Sequence, residues 1–123
     1  METGLTYTST VTVSEENIAA TMGSGDLEVF ATPAMVALME NAAMNAVVGE
    51  LPEGVTTVGA MMNTTHIKPS AMGDTVSATA VLKEVEGRKL TFEVQAKDSK
   101  GVIGEGTHVR YIVDREKFMS KLA

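Results

Sequence analysis

The stretch ATPAMVALMENAAMNAVVGE, residues 31–50, decides how the rest of the chain must fold. Thr32 suits an N-cap and Pro33 the first helical position. Gly49 suits the stop, and Pro52 follows soon after. About sixteen residues lie between, a run of roughly 24 Å as a helix. The segment is apolar nearly all round, which predicts a helix buried on most of its sides. Ala34, Ala37, Ala42, Ala43 and Ala46 would let another backbone come close. Two residues disturb this pattern. Glu40 is costly to bury unless it is paired, and desolvation would raise its pKa unless a cation offsets it. Its bland reading is a thin solvated strip shared with Asn41. Thr32 is by default an ordinary cap, but a helix N-terminus also attracts an oxyanion or an acyl carbonyl.

The flanks read mainly as strands. LTYTSTVTV (5–13) alternates and is rich in Thr and Val. Residues 14–29 read as a loop with a short helical piece, broken at Gly23 and Gly25. Strand-like segments follow at 56–67, 74–85, 88–98 and 102–113. Val76, Ala78, Ala80 and Leu82 share one face, as do Leu90, Phe92, Val94 and Ala96. Glu86-Gly87 and Ser99–Gly101 suit hairpin turns. The tail DREKFMSKLA reads as a short amphipathic helix or a frayed end. The order is a strand, one long helix, then an antiparallel meander, an α+β layer architecture. One sheet covers only one side of a helix that is apolar all round. A partner subunit is therefore expected, as a two-fold homodimer with a tetramer left open.

Bulk composition narrows the function. The 123 residues fit a single domain, 1–123. A formal charge of -6 argues against a nucleic-acid partner, which calls for a basic patch. There is no Cys, which removes disulfides, thiolate metal sites and a cysteine nucleophile. No basic-then-apolar leader opens the chain, and its apolar stretches are too short to span a membrane, so a cytoplasmic protein is expected. His66 and His108 lack metal-ligand spacing, and no phosphate loop or dinucleotide fingerprint occurs. No cofactor is implied, and GVIGEG (101–106) is weak as a phosphate cradle because a strand follows it.

His66 ends a strand, where functional side chains are often placed, and its near-neutral pKa suits proton transfer. A lone His is more often a surface or hydrogen-bonded core residue. His108 and Arg110 share strand parity and point to one face. Met35, Met39, Met44, Met61 and Met62 suit core filling first and an adaptable acyl pocket second.

The runs VFATPAMVALMENAA (29–43), TTVGAMMNTTHIKPSAMGDTV (56–76), LKEVEGRKLTFEVQAKD (82–98) and IGEGTHVRYIVDREKF (103–118) together resemble the fluoroacetyl-CoA thioesterase family. The resemblance implies a hotdog fold, one long central helix wrapped by a curved antiparallel sheet of about five strands. It implies hydrolysis of an acyl-CoA to free acid and CoA. Carried over residue by residue, the catalytic positions fall on Thr32, Glu40 and His66. Substrate-binding positions fall on Gly59, Arg110 and Phe30. In the mechanism this implies, Thr32 holds the carbonyl, Glu40 is nucleophile or general base, and His66 shuttles protons. Lys68, Arg88, Lys89, Arg110 and Arg115 are the candidates for the CoA phosphates.

The pattern departs from the family in one place. The aromatic lid ahead of the helix is missing, with Gly23 and Asp26 in TMGSGDLE standing where aromatics are expected. A short- or medium-chain acyl-CoA is therefore expected in place of fluoroacetyl-CoA. Thr32 and Glu40, eight residues apart, would lie about 12 Å apart along the helix and roughly 80° around it. Either a substrate bridges them or a second subunit completes each site. A non-catalytic acyl-CoA binding module and a hotdog enoyl-CoA hydratase are the alternatives. The hydratase fits less well, because such enzymes pair an Asp and a His near the helix start.

Overall fold

The computed structural model describes residues 1–123. Strands β1 (Thr6–Thr12), β2 (Val55–His66), β3 (Thr75–Glu86), β4 (Lys89–Asp98) and β5 (Gly101–Asp114) form one antiparallel sheet in the order β1-β3-β4-β5-β2. Helix α1 (Ala19–Met22) is a single turn, α2 (Thr32–Val47) crosses the inner face of the sheet, and α3 (Arg115–Ser120) closes the chain. This is the hotdog arrangement. The two tight hairpins fall where the turn residues predicted, with positive φ at Gly87 and Gly101. The tail takes its helical alternative, capped by the Asp114 side chain, which accepts from the Lys117 backbone N–H at 3.0 Å.

The meander expectation holds only in part. β3, β4 and β5 are sequential neighbours, but β2 pairs with β5 and not with β3. Both edges of β3 are already taken, one by β1 and the other by β4. Residues 67–74 therefore carry the chain across the end of the sheet, leaving β2 as a long outer edge.

The alternating faces of β3 and β4 are buried as predicted. Val76, Ala78, Ala80, Leu82, Leu90, Phe92, Val94 and Ala96 pack into a core of 17 buried apolar residues under α2. Each larger side chain there contributes on the order of 1.5–3 kcal/mol. From α2, Met35, Met39, Ala42, Ala43 and Val47 enter this core. The helix is not buried all round, however. Met44 lies exposed at 36%, as does Val48 just past the helix end at 54%. α2 packs against β1 and β3 far more than against β5 and β2, so the β2 half of the inner face is left largely uncovered.

A β-bulge interrupts β2 between Gly59 and Met61. Gly59 and His66 are seven residues apart, and simple alternation would put them on opposite faces. The extra residue, Ala60, reverses the phase. Thr57 and Gly59 before it, and His66 after it, all face the helix.

Candidate functional site

Two polar clusters sit on the inner face, one near each end of β2. The first joins the start of α2 to the end of β2. Ala31 is the N-cap, and no side chain caps the helix. Thr32 is thus the first helical residue and not the cap, a correction to the sequence reading. An N-cap would spend its oxygen on backbone N–H groups. Set one residue later, Thr32 Oγ1 instead lies 2.7 Å from His66 Nδ1. The Lys68 backbone favours the charged form of this imidazole, but burial outweighs it and lowers the His66 pKa. Its Nε2 is buried and has no hydrogen-bond partner. Buried polar atoms are nearly always paired, so this one asks for a partner that the lone chain does not supply.

Around this pair lies a cavity of about 240 Å³, walled by Phe30, Val29, Ala19, Ser24, Ile67 and Lys68 among others. Phe30 is fully buried, and its N–H donates to the Ser70 carbonyl at 3.0 Å. Ser70 Oγ in turn donates to Asp98 Oδ2 at 2.7 Å. Burial pushes the Asp98 carboxyl up. The Ser70 hydroxyl, the Lys100 and Gly101 backbones and the Lys100 charge outweigh that and hold it below the usual range. Segment 67–71 is thereby fastened to the β4–β5 turn, with Phe30 set against it and His66 just before it.

The second cluster surrounds Glu40, two helical turns further on. Glu40 Oε2 lies 3.6 Å from Arg110 Nη1. The Glu40 side chain is 42% exposed, while that of Arg110 is 7% exposed. The fully solvated strip is therefore not what the structure holds. Glu40 is half-exposed, with a cation against it. Arg110 Nε donates to Thr57 Oγ1 at 2.8 Å, and Nη2 donates to the Thr57 carbonyl at 3.0 Å. Its Nη1 lies 3.2 Å from His108 Nε2, and His108 Nδ1 lies 2.8 Å from the Met61 carbonyl. Burial lowers the Arg110 pKa and Glu40 raises it. An arginine so placed stays charged.

Gly59 lies beside Glu40. A Cβ there would come 2.6 Å from Glu40 Oε2. A cavity of about 210 Å³ opens here between Glu40, Gly59, Ala60, Met61, Met62 and His108. The methionines therefore divide. Met35 and Met39 fill the core, and Met61 and Met62 line this cavity.

The structure thus joins Thr32 to His66, and Glu40 to Arg110 and Gly59, but gives no contact between the two pairs. The parity of His108 with Arg110 was visible in the sequence, and both are buried together. Thr57 was missed, since nothing local marks one Thr among the many in β2. Arg110 is fully engaged inside the fold and is not free for a CoA phosphate. Lys68 stands at the Thr32–His66 cavity. Of the glycines in 101–106, Gly101 serves the turn and Gly104 and Gly106 serve packing. A Cβ at Gly104 would meet the Thr65 carbonyl and Met35, and one at Gly106 the Asn63 carbonyl. No group of three or more His, Asp or Glu is arranged to hold a metal. No helix is long and apolar enough to cross a membrane. A larger depression of about 500 Å³ lies away from both clusters, among Thr79, Glu93, Gln95, Glu105 and Thr107. There Glu93 pairs with Lys83 at 3.4 Å and Glu105 accepts from Gln95 at 3.3 Å.

Comparison with known proteins places the chain in a family. The family model described as fluoroacetyl-CoA-specific thioesterase matches residues 13–116. A fluoroacetyl-CoA thioesterase of Streptantibioticus cattleyicolor is 43% identical over 95 residues, covering 77% of this chain and 68% of that protein. A solved structure of a fluoroacetyl-CoA thioesterase superposes with a TM-score of 0.92 at 35% identity, covering 99% of this chain and 95% of that one. A thioesterase superfamily member from Thermus thermophilus superposes with a TM-score of 0.90 over 98% of this chain and 90% of its own. At 24% identity, that last match speaks to fold alone.

Proposed function

The chain belongs to the fluoroacetyl-CoA-specific thioesterase family and is an acyl-CoA thioesterase, and from that premise we propose how its residues divide the work. The observation that carries the proposal is the 2.7 Å Thr32–His66 hydrogen bond beside an imidazole Nε2 with no partner. When His66 Nδ1–H donates to Thr32 Oγ1, the threonine hydroxyl hydrogen is free to hold the thioester carbonyl oxygen. The positive end of α2 adds to that hold. Glu40 attacks the carbonyl carbon. A C–O bond forms, the C–S bond breaks, and a mixed anhydride and CoA thiolate result. Water then opens the anhydride. His66 Nε2 takes the proton from that water and passes it to the thiolate. If Glu40 acts as general base, it takes the proton from water directly and no anhydride forms.

Glu40 must reach the same carbonyl as Thr32, and within one chain they stand two helical turns apart, about 12 Å. We place the site between two protomers. β2 offers a twelve-residue unpaired edge, bordered by exposed Met61, Met44 and Val48. Such an edge calls for a partner strand. Antiparallel pairing of two β2 strands about an axis through Asn63, with Ala60 left out as the bulge, sets His66 opposite the partner's Gly59. The partner's Glu40 then stands within the Thr32–His66 site. Two sites per homodimer follow by symmetry.

The segment where an aromatic lid is expected stays open. Gly23 ends α1 with φ +75 and nothing packs where its Cβ would be, Asp26 is exposed and Leu27 is 66% exposed. One solved relative, a phenylalanine-to-alanine variant, holds fluoroacetate and CoA. For this chain we propose short- or medium-chain acyl-CoA substrates without fluorine selection. CoA release from acetyl-, butyryl-, hexanoyl- and fluoroacetyl-CoA tests this. Comparable kcat/KM for the first three and no preference for the fourth is expected. A thousandfold preference for fluoroacetyl-CoA would contradict it. Tight binding without release would favour the binding-module alternative, and hydration of crotonyl-CoA the hydratase.

The short Thr32–His66 bond also suits a second reading, in which His66 is base to a Thr32 nucleophile. Mass spectrometry of enzyme quenched during turnover of a slow substrate separates the two. An acyl group on the Glu40 peptide supports the first reading, and one on the Thr32 peptide the second.

A further inference from the structure

We propose that His108 is a positioning residue: as a neutral imidazole it receives one Nη1–H of Arg110 and so turns the other toward Glu40. This rests on the reading that Glu40 is the acting carboxylate. The tautomer follows from the partners. A carbonyl only accepts, so His108 Nδ1 carries the proton and donates it to the Met61 carbonyl at 2.8 Å. A guanidinium only donates, so His108 Nε2 accepts from Arg110 Nη1 at 3.2 Å. Both ring nitrogens are satisfied in this one form alone.

The guanidinium is gripped on three of its edges. Nε and Nη2 are held by the hydroxyl and carbonyl of Thr57. His108 takes one hydrogen of Nη1. That leaves one Nη1 hydrogen for Glu40, whose Oε2 lies 3.6 Å from Nη1. Without His108 the Nη1 group loses its second acceptor, and the aim of the guanidinium is left to the Glu40 contact. Thr57 and His108 come from different strands, and the bulge at Ala60 brings the Met61 carbonyl to the imidazole. The charged groups facing His108 are Glu40 from α2 and Arg110 on its own strand. β4 contributes Phe92, whose ring centroid lies 6.2 Å away, and β2 contributes only backbone and methionine side chains.

Protonating His108 would set an N–H against an N–H and a cation against a cation. Burial, with Arg110 beside it, lowers its pKa against the opposing Met61 carbonyl and Glu40. The neutral form thus persists to lower pH than in a free imidazole.

The experiment is steady-state hydrolysis across pH for His108→Phe and His108→Gln, beside Glu40→Gln. His108→Phe is expected to lower kcat at least tenfold with KM within threefold. His108→Gln keeps an acceptor near the Nε2 position and recovers most of that loss. It also cannot protonate, so the acid limb of kcat/KM should become shallower by one proton, a change that a packing role would not produce. Wild-type kcat in His108→Phe, or an unchanged acid limb in His108→Gln, would overturn the inference. If His108→Phe fails to fold, the acid limb of His108→Gln still decides. An inactive Glu40→Gln beside a fully active His108→Phe refutes His108 alone. An active Glu40→Gln refutes the Glu40 reading itself.

Discussion

Replacing Gly59 by Ala separates the fold from the chemistry at one atom. The added Cβ would sit 2.6 Å from Glu40 Oε2, and 3.5 Å from both Arg110 Nη1 and His108 Cε1. The last two are ordinary contacts. The first is not, and the carboxylate must retreat by about 0.8 Å to reach 3.4 Å. It can do so cheaply, because Glu40 is half-exposed and its carboxylate is the far end of a flexible side chain. Gly59 also has no positive φ that a Cβ would strain. The stability cost should stay under about 1 kcal/mol, a Tm change of less than about 5 °C for a chain of this size. Activity should respond very differently. A misplacement near 1 Å costs roughly a hundredfold in rate, about 2.7 kcal/mol in the barrier. Thiol release measured against acyl-CoA concentration, with calorimetry on the same preparations, reads both quantities. A kcat within threefold of wild type, or a kcat loss that tracks lost folded protein, would refute the assignment of Glu40 to the reacting carbonyl.

Other perturbations probe the remaining contacts. Thr32→Ala should cost on the order of 10²-fold in kcat but no more than about 0.5–1.5 kcal/mol in stability, the worth of its hydrogen bond to His66, since the hydroxyl caps nothing; a kcat within threefold of wild type would contradict its role at the carbonyl. Both histidines have lowered pKa values in the fold, so the unfolded chain binds more protons as pH falls below 6.5. Tm should therefore drop from pH 6.5 downward and level off below the folded-state values; a flat Tm from pH 7 to 5 would contradict the burial of both rings. Met61→Glu puts a charge beside the free β2 edge. It should shift sedimentation toward monomer and abolish turnover while circular dichroism is unchanged, and a fully active monomer would rule out a shared site.

The sequence made some of this architecture visible and hid the rest for definite reasons. The inward faces of β3 and β4 followed from alternation alone, because both strands run through the core without a break. The place of β2 at the far edge did not follow, because strand order depends on β1 occupying the side of β3. Period-two reasoning also failed at Ala60. Gly59 interrupts the strand pattern, and an isolated glycine there suggests a bulge, but it does not say which residue is extra or that Gly59 and His66 end on one face. Thr32 reads from the sequence as the helix cap, but it stands one residue later, inside the helix. That shift frees the hydroxyl for His66. The Arg110 role moved inward, from a candidate for CoA phosphate to the fixed neighbour of Glu40, because its partners Thr57 and His108 are brought together only by the β2–β5 pairing.

The central claim is that His66 of one protomer and Glu40 of the other serve one carbonyl. Refolding an equimolar mixture of His66→Ala and Glu40→Gln tests it most directly. In a mixed dimer one site carries both substitutions and the other carries neither. About half of the dimers are mixed, so the mixture should regain about a quarter of wild-type kcat per chain, although each variant alone is inactive. If each site lies within a single chain, every site in the mixture keeps one lesion, and no recovery at any mixing ratio would contradict the account.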